Sequence, residues 1–343
     1  MSLPALPTQP ADTPWPTHQW PSSEPDVANP DALQAAVDEL FESGRPELGR
    51  TDALVLVQGG SLVVERYGHG VDSASTLPSW SMAKSMTAVL GALAGIDWEA
   101  PVLAPEWVAT PDDPRREIRA RHLLTMTTGL EWTEIYEPDQ PSDVVRMLFG
   151  DAKADAARFA ADKPPAAAPG EVYQYSSGTT NILARHIAGH LGLDGDAPGF
   201  EAFMRRELFD PVGMASPIPK FDARGTFIGS SFCYCTAADF ARFGLLCLRG
   251  GRWDERQLVP ADQIDRFRTP TEASRGVDDF VHGGHFWVHE DGFGTFACHG
   301  YEGQYIWMVP ALDLVLVRSG VRPETDKQSL VVALRAIVEE FAR

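Results

Sequence analysis

The sequence predicts an α/β fold of the α+β type, in which an antiparallel sheet is flanked by the N- and C-terminal helices and carries an inserted, mainly helical lobe. Two observations predict it. Alternating β-rich runs stand near the two ends of the chain, and helical periodicity fills the region between them. Distant segments therefore build one sheet, which gives an extended arm over 1–30, a sheet lobe of 31–75 and 282–343, and a helical lobe of 76–281.

The first elements have clear local signals. Eight prolines in the first thirty residues fix φ and remove backbone donors, so we expect an extended arm there. From Asp31 onward, ALQAAVDELFES has apolar residues at helical spacing behind an Asp N-cap. The runs ALVLVQ (53–58) and SLVVERY (61–67) flank Gly59-Gly60, which is the pattern of a β-hairpin.

Periodicity places the remaining elements. The predicted helices of the middle region are 82–95, 119–127, 142–148, 177–191, 198–208, 236–248 and 260–267. The predicted strands near the C-terminus are 285–290, 294–299, 304–310 and 313–319, followed by a helix over 326–342. A cleft between the two lobes is the usual place for a site.

Composition restricts the partners. The chain has 343 residues, with 29 Lys and Arg against 48 Asp and Glu, so its net charge is −19. Such a protein lacks the basic surface that nucleic acids and anionic membranes require. Neither a basic leader followed by an apolar run nor an apolar stretch of about 18 residues is present, so we expect a cytoplasmic monomer or small homo-oligomer that acts on a small molecule.

Cysteine and histidine spacing gives no metal signature. Four cysteines in a chain of this length do not form a disulfide framework. Cys233 and Cys235 lack a second pair of ligands for zinc, and no Glu stands between His186 and His190 to serve as a metalloprotease base. We therefore expect neither a metal nor another cofactor.

One short motif carries nucleophile chemistry. Ser81 and Lys84 stand three residues apart at the start of a predicted helix, so the hydroxyl and the amine lie on the same face. Serine is a weak nucleophile that needs a base, and a buried lysine can lose its proton and act as one. The alternative without a catalytic role is a serine at the helix N-terminus beside an exposed lysine. The apolar residues around the motif disfavour it, because they predict a buried helix.

Three motifs together resemble a known group. Ser81-Met82-Ala83-Lys84 is followed by Tyr175-Ser176-Ser177 and then by Cys298-His299-Gly300-Tyr301. This order resembles the serine β-lactamase and penicillin-binding protein superfamily. The chain looks most similar to the 6-aminohexanoate oligomer hydrolases and to the esterases related to class C β-lactamases, over about residues 31–343. Further similar segments are 121–132, 208–214, 235–246 and 303–317.

The resemblance implies a β-lactamase/transpeptidase-like fold and specific roles. Ser81 would be the nucleophile, Lys84 its base, and Tyr175 the group that passes a proton to the leaving atom. The backbone N–H groups of Ser81 and Tyr301 would form the oxyanion hole. The implied substrate contacts are Tyr136, Ser177, Ser230, His299 and Gly300.

Two departures from the family pattern bear on the substrate. Cys298 stands where β-lactamases have the lysine of Lys-Thr-Gly, so the cation for a substrate carboxylate is missing. Ser177 stands where they have asparagine. Both changes favour carboxylic esters or short linear amides over β-lactams. An aromatic, apolar cleft would suit such substrates, and its candidate lining residues are Trp132, Tyr136, Tyr301 and Trp307.

Other functions stay open at this point. A β-lactamase or D-amino-peptidase would share the same acyl-enzyme chemistry. A catalytically silent member of the fold would bind a ligand without turnover, although the presence of three polar catalytic groups argues against it. A metal-dependent amidohydrolase would use His282, His285 and His289, but Gly283-Gly284 breaks any helix that would align them.

Overall fold

The computed structural model describes residues 3–42, 44–137, 140–323 and 325–342. In chain order its strands are β1 (Arg50–Gln58), β2 (Ser61–Tyr67), β3 (Ile218–Pro219), β4 (Cys233–Tyr234), β5 (Arg252–Trp253), β6 (Arg256–Gln257), β7 (Val281–His282), β8 (Trp287–Val288), β9 (Phe296–Gly300), β10 (Gln304–Val309) and β11 (Leu314–Val321). Seven of these form one antiparallel sheet in the order β2-β1-β11-β10-β9-β8-β7. The predicted fold class is therefore confirmed.

The helices are α1 (Pro30–Phe41), α2 (Met82–Leu93), α3 (Pro105–Val108), α4 (Ala120–Leu124), α5 (Asp143–Leu148), α6 (Ala156–Ala161), α7 (Ser177–His190), α8 (Ala197–Met204), α9 (Asp210–Val212), α10 (Ala237–Leu248), α11 (Ala261–Phe267) and α12 (Gln328–Glu340). A π-helical turn, Arg205–Phe209, joins α8 to α9. None of the helices in the described ranges is both long and apolar enough to cross a membrane.

Both faces of the sheet are covered, and the alternation of side chains along each strand decides which residue faces which layer. On β1, Val55 and Val57 pack into the core shared with the middle helices, whereas Leu54 and Leu56 pack into a second core. That second core is closed by apolar residues of α1 and α12. The terminal helices thus cover one face, as predicted, and α10 covers the other.

The observed element boundaries agree with the predicted ones where the local sequence signals are strong. The hairpin turn forms at Gly59-Gly60, where both glycines have positive φ. Helix α1 begins at Pro30 and is capped by Asn29, whose Oδ1 accepts from the Ala32 N–H, so the predicted Asp31 cap is wrong. The predicted strand 285–290 is reduced to Trp287–Val288.

The Pro-rich arm lies on the body of the protein. Its one bridge to a strand of the sheet, among the described residues, pairs Ser22 with Leu62. The Trp15 ring lies 5.0 Å from the ring of Trp253, whose indole N–H donates to Thr17 Oγ1 at 2.8 Å. The arm therefore adopts a defined course without regular structure. The division of the rest of the chain at 75/76 and 281/282 stays a prediction.

Candidate active site

The start of α2 brings the proposed nucleophile and base together. Ser81 is the N-cap residue of α2, and its side chain makes no capping hydrogen bond, so the hydroxyl is available for other contacts. The Lys84 Nζ donates to Ser81 Oγ at 2.9 Å. Helix geometry alone produces this contact, since positions i and i+3 share a face.

Lys84 is enclosed by acceptors. Its side chain is 2% exposed, and Nζ also donates to Ser177 Oγ and to the backbone oxygen of Ser230, both at 2.9 Å. Burial lowers the pKa of the Lys84 amine to about 8, while the negative charge of Glu134 opposes that shift. A usable fraction of the amine is therefore neutral near pH 7 and able to accept a proton.

Tyr175 completes the group around the serine. It shares a hydrogen bond with the Ser81 hydroxyl, and its ring centroid lies 4.9 Å from Lys84 Nζ. Its ring stacks on Trp287 with centroids 5.4 Å apart. Burial raises the pKa of the Tyr175 phenol, so it carries its proton at neutral pH and can donate it.

A carboxylate that sequence reasoning did not single out lies behind this group. Glu134 Oε1 accepts from Ser177 Oγ at 2.5 Å and from the Tyr136 hydroxyl at 3.1 Å. Its Oε2 accepts from the Ser177 N–H at 2.9 Å and from the Trp132 indole N–H at 2.6 Å. Its contacts with Trp132 and Tyr136 join residues two positions away, but nothing in the sequence links Glu134 to Ser177.

Gly300 permits a close approach of two backbones. A Cβ on Gly300 would lie 2.6 Å from the carbonyl oxygen of Ser79, a distance that no side chain tolerates. The end of β9 can therefore lie against the segment that leads into Ser81. The Tyr301 ring packs edge-on against Trp80 with centroids 5.6 Å apart. This contact places the predicted oxyanion residue Tyr301 beside the start of α2.

The other predicted contacts have different surroundings. Tyr136 stacks on Tyr301 with centroids 4.6 Å apart. Ser230 is fully buried, and its Oγ bonds to Ser231 Oγ at 2.9 Å, so its backbone oxygen rather than its side chain serves the site. His299 Nε2 lies 3.1 Å from His289 Nε2.

The expectation that Trp132 and Trp307 line the cleft is wrong. Trp132 is 5% exposed and its ring packs against Phe159. Trp307 is 1% exposed and belongs to the core under α1 and α12, because it alternates along β10 with Ile306, which faces the other layer. Tyr136 and Tyr301 are half-buried.

The cysteines and the histidine group are buried. All four cysteines are free, and burial raises the pKa of the Cys298 thiol to about 12, so it is neutral. Burial likewise lowers the pKa values of His282, His285 and His289. His285 Nδ1 lies 2.8 Å from the Leu124 backbone oxygen. Within the described ranges, no three His, Cys, Asp or Glu residues are grouped as metal ligands.

Known proteins are similar to this chain over most of its length. Residues 37–329 match the β-lactamase family model. The 6-aminohexanoate-dimer hydrolase of Paenarthrobacter ureafaciens is 24% identical over 322 residues, which cover 88% of this chain and 79% of that protein.

Solved structures share the fold. A proposed 6-aminohexanoate-dimer hydrolase from Bacillus anthracis has a TM-score of 0.76 at 20% identity, over 99% of this chain and 90% of that chain. A β-lactamase from Mycobacterium bovis has a TM-score of 0.62 at 19% identity, over 89% of this chain and 99% of that chain. The chain therefore belongs to the β-lactamase family, and it is a β-lactamase-fold hydrolase related to the 6-aminohexanoate-dimer hydrolase of Paenarthrobacter ureafaciens.

Proposed function

We propose that this protein is a serine hydrolase that acts through an acyl-enzyme on carboxylic esters or short linear amides. The observation that carries the proposal is the environment of Lys84. A 2% exposed amine with a lowered pKa lies 2.9 Å from a serine hydroxyl. That is the arrangement a weak nucleophile requires for activation.

The proton movements follow from the contacts. Neutral Lys84 takes the proton of Ser81 as Oγ attacks the substrate carbonyl, which gives an ammonium and a tetrahedral oxyanion. The backbone oxygen of Ser230 stabilises that ammonium directly, and Glu134 does so through Ser177. Tyr175 then donates its proton to the leaving atom as the bond to the carbonyl carbon breaks. The Lys84 ammonium restores the Tyr175 proton, leaving an acyl-serine and a neutral amine.

Deacylation uses the same groups in the reverse order. A water molecule takes the place of the departed leaving group. It loses a proton to Tyr175, which passes its own proton to neutral Lys84, as the water oxygen attacks the acyl carbon. The tetrahedral intermediate then expels Ser81 Oγ, which regains a proton, and the free acid leaves. The amide N–H groups of Ser81 and Tyr301 are the proposed donors to the oxyanion in both halves of the reaction.

Several features support esters and linear amides over β-lactams. Cys298 is buried and neutral at the position where the family pattern has a lysine. Ser177 has a hydroxyl where the family pattern has the amide of asparagine, and it donates its one hydroxyl proton to Glu134, so its side chain has no proton left for a substrate carbonyl. The name of the Paenarthrobacter relative adds support for a linear amide substrate.

Covalent labelling tests the assignment. A fluorophosphonate should add to the parent protein at Ser81, and Ser81→Ala should neither label nor hydrolyse p-nitrophenyl acetate. Ser329→Ala is the matched control, because Ser329 lies on α12, on the outer face of the sheet. Turnover by Ser81→Ala within tenfold of the parent would refute the assignment of Ser81 as the nucleophile. A folded parent that neither labels at Ser81 nor turns over the ester would favour a silent ligand-binding protein.

A further inference from the structure

Aromatic rings surround the residue that precedes the nucleophile. The Trp80 ring centroid lies 5.6 Å from that of Tyr301, 5.7 Å from that of Phe232 and 6.4 Å from that of Phe149. Phe149 and Phe232 also contact each other at 6.1 Å. We call these four residues the aromatic wall. Three separate parts of the chain and the start of α2 contribute to it.

The surface of the aromatic wall is mainly aromatic carbon, and part of it is exposed to water. Phe149 is 52% exposed at the end of α5, and the other three rings are half-buried. None of the four carries a charge at neutral pH. Covering exposed apolar rings with an apolar ligand removes them from water and lowers the free energy. This surface therefore favours the binding of an apolar group.

The backbone holds the wall beside the nucleophile. Trp80 has a φ of +43°, in the left-handed region that a bulky side chain rarely adopts. The conformation is part of the turn into α2, so the indole and Ser81 are fixed by the same few bonds. Such strain persists where the surrounding structure determines it, and it is frequent at functional sites.

The surroundings of the proton donor are different. The Tyr175 ring contacts run to His282 and Trp287 and share no residue with the aromatic wall. Trp287 lines a cavity of about 180 Å³ whose charged lining residues are Asp278, Asp279, Arg322 and Lys327. Tyr175 would protonate the leaving group, so the charged cavity belongs to the leaving-group side. The uncharged wall is left for the acyl side.

We propose that the aromatic wall binds the acyl group of the substrate and that this group is uncharged and apolar. This inference rests on the proposed function, because it needs an acyl-enzyme on Ser81. Each methylene buried against the wall improves binding about fourfold. Lengthening an acetyl group to a hexanoyl group adds four methylenes, so full burial would give about a 200-fold preference.

A matched ester series tests the acyl preference. The esters are p-nitrophenyl acetate, p-nitrophenyl hexanoate and the mono-p-nitrophenyl ester of adipic acid, which matches hexanoate in length and ends in a carboxylate. We expect kcat/KM for the hexanoate ester to exceed the values for the acetate ester and for the adipate monoester by at least about tenfold each. The expected factor is smaller than about 200 because the wall is partly exposed and buries the methylenes only in part.

Two variants localise the preference. Phe149→Ala and Phe232→Ala should each lower the hexanoate-to-acetate ratio of kcat/KM at least about threefold, because each removes one face of the wall. Leu103→Ala is the control, since Leu103 is also an exposed apolar residue, at 70%, but lies in the loop before α3. It should leave both activities unchanged.

The outcomes separate the two proposals. An unchanged ratio in both phenylalanine variants, or equal efficiency on hexanoate and on the adipate monoester, would overturn the acyl assignment while acetate turnover stays intact. A folded parent protein that fails on every ester, acetate included, would instead overturn the proposed function.

Discussion

The buried amine of Lys84 makes a quantitative prediction about pH. Burial lowers its pKa from 10.5 to about 8. Only the neutral amine accepts the Ser81 proton, so kcat/KM should follow the neutral fraction, which is about 9% at pH 7 and about 91% at pH 9. The expected rise is therefore about tenfold between pH 7 and pH 9, with a plateau above. An unshifted lysine would give about a hundredfold rise over the same interval.

The assay is kcat/KM on a p-nitrophenyl ester from pH 6 to 10, with Ser81→Ala measured at each pH to subtract spontaneous hydrolysis. A profile that is flat from pH 6 to 9 would refute Lys84 as the base. A hundredfold rise between pH 7 and 9 would refute the effect of burial on its pKa.

A charge variant tests the opposing influence on the same amine. The Glu134 carboxylate raises the pKa of Lys84 against the effect of burial, so Glu134→Gln should move the profile to lower pH. Glu131→Gln changes an exposed carboxylate of the same segment and should leave the profile in place. An unchanged pH profile in Glu134→Gln would refute the electrostatic coupling between Glu134 and Lys84.

Four further outcomes follow from individual residues. Lys84→Met should lose 10²–10⁴-fold in kcat/KM, the range typical of a lost general base. The folded protein loses the Lys84 proton at a lower pH than the unfolded chain does. Between about pH 8 and 10.5 the free energy of unfolding of the parent should therefore rise by up to about 3 kcal/mol relative to that of Lys84→Met. Urea titration at each pH measures this difference. Gly300→Ala should cut kcat/KM at least about tenfold while the protein stays folded, because the new Cβ pushes β9 away from Ser79 and disturbs the oxyanion hole. The control is Gly189→Ala, where a Cβ meets open space. Nitrocefin should be hydrolysed with a kcat/KM at least about 10²-fold below short-chain esters, because neutral Cys298 supplies no charge-assisted contact; comparable values would favour a β-lactamase.

Sequence reasoning succeeds here where the cause is local. The Ser81 and Lys84 contact follows from helix geometry, and the start of α7 follows from its Ser176 cap, whose Oγ accepts from the Thr179 N–H at 3.0 Å. The hairpin at Gly59-Gly60 follows from two residues that adopt positive φ. Each of these features depends on neighbours within about four positions in the chain.

Sequence reasoning fails where packing between distant segments determines the position of a residue. Glu134 enters the site through Ser177, 43 positions away, and no local pattern links the two. Its aromatic ring makes Trp307 a candidate lining residue of the cleft, but the register of β10 turns it to the outer layer. The aromatic wall likewise joins Phe149 and Phe232, which are separated in the chain by helices α6 to α9, so only the packing of those elements brings the two rings together.

The contacts of Lys84 explain how a resting lysine can point its lone pair at the nucleophile. The Nζ atom has three acceptors, Ser81 Oγ, Ser177 Oγ and the Ser230 backbone oxygen, all at 2.9 Å. Ser177 gives its only hydroxyl proton to Glu134, and a backbone oxygen has none to give. A neutral amine must therefore direct its hydrogens at those two atoms. The lone pair is then left for Ser81, whose hydroxyl is the one remaining group that can donate to it.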